Sequence, residues 1–163
     1  MTEGAEGGEA CAGGAEPGRG PLGGVCAALA ACEQRRAVFV PVDLPLLPST
    51  LITFLIRRAE VTEAPVVAVS ASGFAQTFPA VIDRAALPAL RNALQQGSGG
   101  CYAAYQAAAT ALGQRVEVVP VEYLAQAGQV THPEGLPPAL WFLNVNSPAD
   151  LRRAEAAACR AVA

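Results

Sequence analysis

Few residues in this chain have the type and setting to do chemistry. Asp43 is the only charged residue between Arg36 and Arg57. It stands in AVFVPVDLPLLP, Ala37–Pro48, an apolar run that opens with β-branched and aromatic residues and carries Pro41, Pro45 and Pro48. Such a run reads as a short buried strand, and because proline gives no N–H to a ladder the strand must end near Pro41–Pro45. Open α/β sheets build ligand sites by delivering a side chain at the carboxyl end of an apolar strand. A hard cation such as Mg²⁺ is held by one or two carboxylates together with substrate phosphates, so a lone carboxylate there suits it. The competing reading makes Asp43 a turn former or a helix cap.

Two further stretches carry usable polar groups. Gly20–Pro21–Leu22–Gly23–Gly24 stands at the start of a helical pattern. Glycines let backbone approach a ligand, and the N–H groups of a first helical turn attract anions or a polar ring; a plain helix start is the alternative. Near the other end, Asn144–Val145–Asn146–Ser147–Pro148 sets two asparagines either side of one residue. One amide oxygen is then free to point from a strand tip while the other braces the turn, or Asn146 simply satisfies loop backbone. Gly97–Gly100, the lone His132, and Tyr102 with Tyr105 read as an interhelical turn, a solvated loop residue, and core or rim residues.

The elements that must position these groups follow from periodicity. The 163 residues suffice for one domain with a real core. Leu22, Val25, Cys26 and Leu29 predict a helix running to about Gln34, with Arg35 and Arg36 at its carboxyl end. After the Asp43 strand, Ser49 is placed to cap a helix closed by Arg57 and Arg58. Val66–Ser70 reads as a buried strand, Ser72–Gly73 as a turn, and Phe78–Ile82 as a strand near an edge because of Pro79. Helices follow around Leu87–Gly97 and from Gly100 to Gly113, then a strand at Arg115–Pro120 with one wet face. Residues 125–139 read as a polar connection, and Leu140–Val145 as a last strand. Ser147, Pro148 and Asp150 then open a helix as cap, N1 and N3 residues. Strands alternating with helices predict an α/β/α sandwich with a mostly parallel sheet over residues 20–163. Residues 1–19, rich in glycine and glutamate, read as a flexible tail.

Composition excludes several functions. All eleven basic residues are arginine, dispersed along a chain of net charge −3, so no basic patch marks a nucleic-acid surface. The five cysteines, at positions 11, 26, 32, 101 and 159, show no CxxC spacing and lie far from the one histidine. They read as reduced thiols rather than a zinc site. With no signal-like head and no apolar run of membrane length, the expectation is a soluble cytoplasmic protein.

Taken in order, the three stretches resemble the molybdenum cofactor guanylyltransferase family, within the larger nucleotidyltransferases. GPLGGVCAAL is similar to that family's GPLAGI-like turn and helix, VPVDLPLLP to its strand with the metal-binding aspartate, and FLNVNSPADL to its FxNVNTPxDL segment. QTFPAVIDRAALPAL resembles its middle segment. The resemblance covers roughly residues 18–160. It implies a Rossmann-like, nucleotide-diphospho-sugar-transferase-like fold and transfer of GMP from GTP to molybdopterin, releasing pyrophosphate. On that resemblance Asp43 is catalytic, and Mg²⁺ is held by Asp43 with Asn146. Gly20–Gly24 then lie near the guanosine, and Asn144 and Asn146 orient the metal or the pterin phosphate.

The family's first third is not matched. Its opening strand, its LAGGxSxRMGxDK loop and the lysine that holds the triphosphate have no counterpart, and the chain contains no lysine. An N-terminally truncated domain with weak transfer activity is therefore expected. The alternatives are a non-catalytic remnant that binds pterin or a partner protein, and a related transferase that moves another nucleotide. GTP and molybdopterin are the expected small-molecule partners, with a homodimer or a molybdoenzyme-maturation protein as the macromolecular ones.

Overall fold

The structure, a computed structural model, describes residues 20–97 and 99–161; the tail read over residues 1–19 lies outside the described residues. Helix α1, Gly20–Ala31, buries Leu22, Val25, Cys26 and Leu29, as their spacing predicts. It stops short of Gln34, and Arg35 and Arg36 leave it to begin strand β1, Arg36–Phe39. That strand ends before Pro41, so Asp43 sits in the turn beyond it.

Helix α2 spans Ser49–Thr62. Pro48 takes the cap position and offers no side-chain hydrogen bond, so Ser49 is the first helical residue rather than the cap. Strands β2, Val66–Ala71, and β3, Phe74–Asp83, form a hairpin through Ser72 and Gly73. Both turn residues have positive φ, 52° and 80°, which the twist of a two-residue hairpin turn demands and glycine meets without strain. A 3₁₀ turn, Arg84–Ala86, leads into α3, Leu87–Gln96, and then α4, Cys101–Ala111. Strand β4, Glu117–Pro120, passes directly into α5, Val121–Gln126; α6, Pro138–Trp141, and α7, Pro148–Ala161, complete the chain.

The sheet has the order β1-β3-β2-β4. Strands β1, β2 and β4 point one way, and β3 runs antiparallel between β1 and β2. Phe78–Ile82 is thus interior, contrary to its expected place near an edge. Pro79 is tolerated because the β2–β3 register shifts between Ala68 and Ser70, leaving no ladder partner for its missing N–H.

Each face of the sheet carries its own core, which makes three layers. Val67, Val69 and Val81 pack with Leu51 and Leu55 of α2, Leu124 of α5 and Trp141 of α6. Their neighbours Val66, Ala80 and Ile82 point the other way, onto Leu29 of α1, Leu90 of α3 and Tyr105 of α4. Alternation along β2 and β3 assigns residues to the two faces, and a fully buried leucine such as Leu29 or Leu55 stabilises the fold by roughly 1.5–3 kcal/mol.

The expected last strand is absent. Leu140–Val145 begins inside α6 and continues as irregular chain. Trp141 accounts for this: it is buried, and its indole N–H donates to the Leu136 carbonyl at 2.8 Å, closing a tight local loop around Pro137 and Pro138. No helix among the described residues is long and apolar enough to cross a membrane.

Candidate functional site

The chain brings Asp43 and the asparagine pair together without a strand. The Val145 N–H donates to the Asp43 carbonyl at 2.8 Å. This main-chain bond joins the turn after β1 to the loop before α7 and sets Asn144 and Asn146 on either side of the junction. Asp43 is half-buried, while both asparagines are exposed. Among the described residues, the Asp43 carboxylate makes no hydrogen bond or ion pair with another side chain. The loop is held from its other side by α7. The Ser147 hydroxyl donates to Asp150 at 2.7 Å, and the Asp150 N–H returns a bond to that hydroxyl at 3.2 Å. This reciprocal cap was expected from Ser147, Pro148 and Asp150. The Ser147 hydroxyl, then the Asn146 N–H, hold the Asp150 carboxyl below its ordinary value.

Gly20–Gly24 lie in the opening turns of α1, with Gly20 at φ 59°. Pro21 is exposed and Leu22 is anchored in the core. The short link Cys32–Arg35 reverses the chain between α1 and β1, so the amino end of α1 lies at the end of the sheet where β1 finishes. Gly20–Gly24 and Asp43 therefore share one end of the molecule, though no hydrogen bond joins them.

The opposite end of β1 is occupied by charge pairs. Arg35 Nε donates to Asp83 Oδ2 at 2.9 Å, and Arg35 also pairs with Glu63. Arg36 lies 3.3 Å from Glu63 and 3.6 Å from Asp83, paired by charge but without a well-formed hydrogen bond. Asp83 is buried, and its other oxygen accepts the Ala85 N–H. On the α1–α3–α4 face, burial pushes the Cys26 and Cys101 thiols up and the Tyr105 phenol far up.

No group of three or more histidine, cysteine or acidic side chains that could hold a metal occurs among the described residues. The Asp43 carboxylate and the exposed Asn144 and Asn146 lie on two segments joined by that main-chain bond. Their side-chain oxygens are hard donors, of the type that would suit a cation such as Mg²⁺, and too few for an all-protein cage.

One feature of this end was not read from the sequence. An open groove of about 690 Å³ is lined by Ser72, Gly73, Glu122, Gln126, Pro137 and Pro138 among others. It lies where β2 and β4 finish, and the segment from Pro137 to Asn146 runs from its wall to Asp43. The signal for α5 was present in the apolar pair Val121 and Leu124 directly after Pro120.

This three-layer arrangement has counterparts among solved structures. The crystal structure of molybdopterin-guanine dinucleotide biosynthesis protein A from Archaeoglobus fulgidus matches with a TM-score of 0.65 and 22% identity. The match covers 86% of this chain and 64% of that one. A putative protein from Aquifex aeolicus matches with a TM-score of 0.55 and 16% identity, over 78% of this chain and 56% of that one. At these identities the likeness is one of fold, and the chain spans less than two thirds of either structure. No curated protein matches the chain. The family model of the MobA-like NTP transferase domain matches residues 6–116, more than half of the chain. The chain belongs to that family, whose members are nucleotidyltransferases.

Proposed function

We propose that this chain transfers GMP from GTP to the terminal phosphate of molybdopterin, releasing pyrophosphate and forming the guanine dinucleotide cofactor. The observation that carries the reading is the Val145–Asp43 bond, which gathers the family-like aspartate and asparagine motifs at one sheet end. The nucleophile is already an anion, so the protein's work is to position two phosphates and offset their charge. Asp43 and Asn146 would hold Mg²⁺, which when bound neutralises phosphate charge. Asn144 and Asn146 would orient the metal or the pterin phosphate, and Gly20–Gly24 would offer backbone to the guanosine.

The sequence contains no lysine to offset triphosphate charge. Each lost charge-stabilising contact raises a barrier by about 3–4 kcal/mol, so slow transfer is expected. Pyrophosphate release with Mg²⁺, GTP and molybdopterin tests this, first with the chain as written and then with a family-type loop joined ahead of it. Turnover should rise when the loop is added and vanish in the looped Asp43→Ala variant. Near-normal turnover in that variant would remove Asp43 from the mechanism. Replacing GTP by CTP decides which nucleotide is moved.

A further inference from the structure

We propose that Cys26 of α1 and Cys101 of α4 are a redox modification site, closing to a reversible disulfide when the protein meets a small disulfide oxidant such as oxidised glutathione. The inference is independent of which nucleotide the chain moves. Three observations lead to it.

The first is placement. Leu22, Val25, Cys26 and Leu29 form the buried stripe of α1. On α4, Cys101, Ala104, Tyr105 and Ala108 follow at i, i+3, i+4 and i+7, the spacing of a single helix face. Both stripes belong to one core, with Cys26 inside it and Cys101 packed against it. Alanine at 104 and 108 keeps that face of α4 low, and Cα atoms of the two helices approach to 8 Å or less. A disulfide spans roughly 4.4–6.8 Å between Cα atoms, so facing stripes this close suit one. The other described cysteines lie elsewhere: Cys32 donates to the Gln34 carbonyl past the end of α1, and Cys159 is exposed on α7.

The second is a shared polar environment. Tyr105 is fully buried, yet its hydroxyl has no well-formed hydrogen bond. Its polar neighbours are the two sulfurs: burial above all, then Cys101 and Cys26, push the phenol far up. Burial also pushes the Cys26 thiol up; Arg91 pulls it back, and Cys101 adds a smaller upward push. Groups that oppose one another's ionisation in this way are close in space. At Cys101 burial again pushes the thiol up, and the Tyr105 O–H works against it as a donor. Buried thiols of this kind stay protonated and reduced until an oxidant arrives.

The third is unequal access. Cys26 is 5% exposed, whereas Cys101 is half-buried in the first turn of α4. Gly100 caps that helix without a side chain, so the first N–H groups remain available to a thiolate on Cys101. Cys101 is therefore the entry thiol and Cys26 the resolving one.

The steps balance with oxidised glutathione as the oxidant. Cys101 loses its proton to solvent, and its thiolate, accepting the Tyr105 O–H, attacks one glutathione sulfur. That S–S bond breaks, and the first glutathione leaves as a thiolate and takes up a proton. Cys26 then loses its proton, attacks Cys101 Sγ in the mixed disulfide and expels the second glutathione. Two protein thiols are oxidised, and one glutathione disulfide is reduced to two thiols. Only Val25 separates Cys26 from the Gly20–Gly24 turn, so the closed bond ties the helix that begins there to α4.

The test incubates the reduced full chain with oxidised glutathione under native conditions, blocks the remaining thiols by alkylation and maps tryptic peptides by mass spectrometry. A link between peptides Gly20–Arg35 and Asn92–Arg115 is expected, and dithiothreitol should release it. The first peptide also contains Cys32, so Cys32→Ser should keep the link. Cys26→Ser should stop the reaction at glutathione on Cys101, and Cys101→Ser should leave the buried Cys26 unmodified. Tyr105→Phe removes a hydroxyl without a good partner in the reduced fold, so this variant should fold normally yet close the disulfide several-fold more slowly. Closure at the unaltered rate would overturn the part given to the tyrosine. Glutathione retained on Cys101 of the unaltered chain with no link to Cys26, a link through Cys11 or Cys32 instead, or glutathione on Cys26 in Cys101→Ser overturns the inference.

Discussion

The two ends of strand β1 differ in how their charges are used. At the amino end, Arg35, Arg36, Glu63 and Asp83 answer one another across the loop after α2 and the end of β3. At the carboxyl end, Asp43 is half-buried with no side-chain partner among the described residues, beside two exposed asparagines. A charge that is matched inside the protein holds the fold, and removing one member leaves the other stranded. A charge that the fold leaves unmatched contributes little to stability and remains available to a ligand. By this contrast the amino end is a clamp and the carboxyl end the proposed site.

The largest effect should come from breaking the clamp. Asp83→Ala leaves Arg36 half in the interior without its carboxylate and removes the acceptor for Ala85, which should cost about 3 kcal/mol. Asp43→Ala should change stability by less than about 0.5 kcal/mol, as for a surface position. Urea unfolding of the two variants side by side measures the difference; equal losses would erase the contrast. The next effect is the loss of a cap. Ser147→Ala removes both bonds to Asp150, should cost about 1 kcal/mol, and should loosen the Asn144–Asn146 loop.

Acid sharpens the comparison from the clamp side. The Arg35 hydrogen bond holds the Glu63 carboxyl below its ordinary value of 4.5. A depressed folded value means that the contribution is complete above the unfolded value and is lost as pH falls through the folded one. Stability should therefore be flat near neutrality and decline below about pH 4.5, and Glu63→Gln should shrink that decline. The smallest effect concerns the open side of β1. Among the described residues this strand pairs only with β3, and Val40 beyond it is 50% exposed. Such an edge invites pairing between copies. Light scattering at rising concentration should show association, and Val40→Lys should reduce it.

Much of this was legible in the sequence because it depends on local pattern. The faces of α1 and α3, the strand at Val66, the hairpin turn at Ser72–Gly73 and the Ser147–Asp150 cap all follow from spacing or turn chemistry within a few residues. The place of β3 was not legible. Pro79 argues for an edge, and only the shift in pairing against β2 explains an interior proline. LWFLNV misled for a different reason: a short continuous apolar run does not reveal its period. The bond from Trp141 to Leu136 and the flanking prolines turned it into a helix and loop. At the candidate site, Asp43 and the asparagines could be picked out by type. Their meeting depends on a main-chain bond whose partners no local pattern links.

That bond also orders events in time. The Val145–Asp43 contact spans about a hundred residues of chain, and closing so long a loop is among the costliest steps in entropy, since the cost grows with length. The hairpin β2–β3 and the packing of α3 on α4 need only near neighbours and can form early. The end of the molecule that bears Asp43 is then expected to complete its contacts late. A chain stopped before Pro137 would still contain every strand of the sheet, yet its aspartate would face solvent with no asparagine beside it.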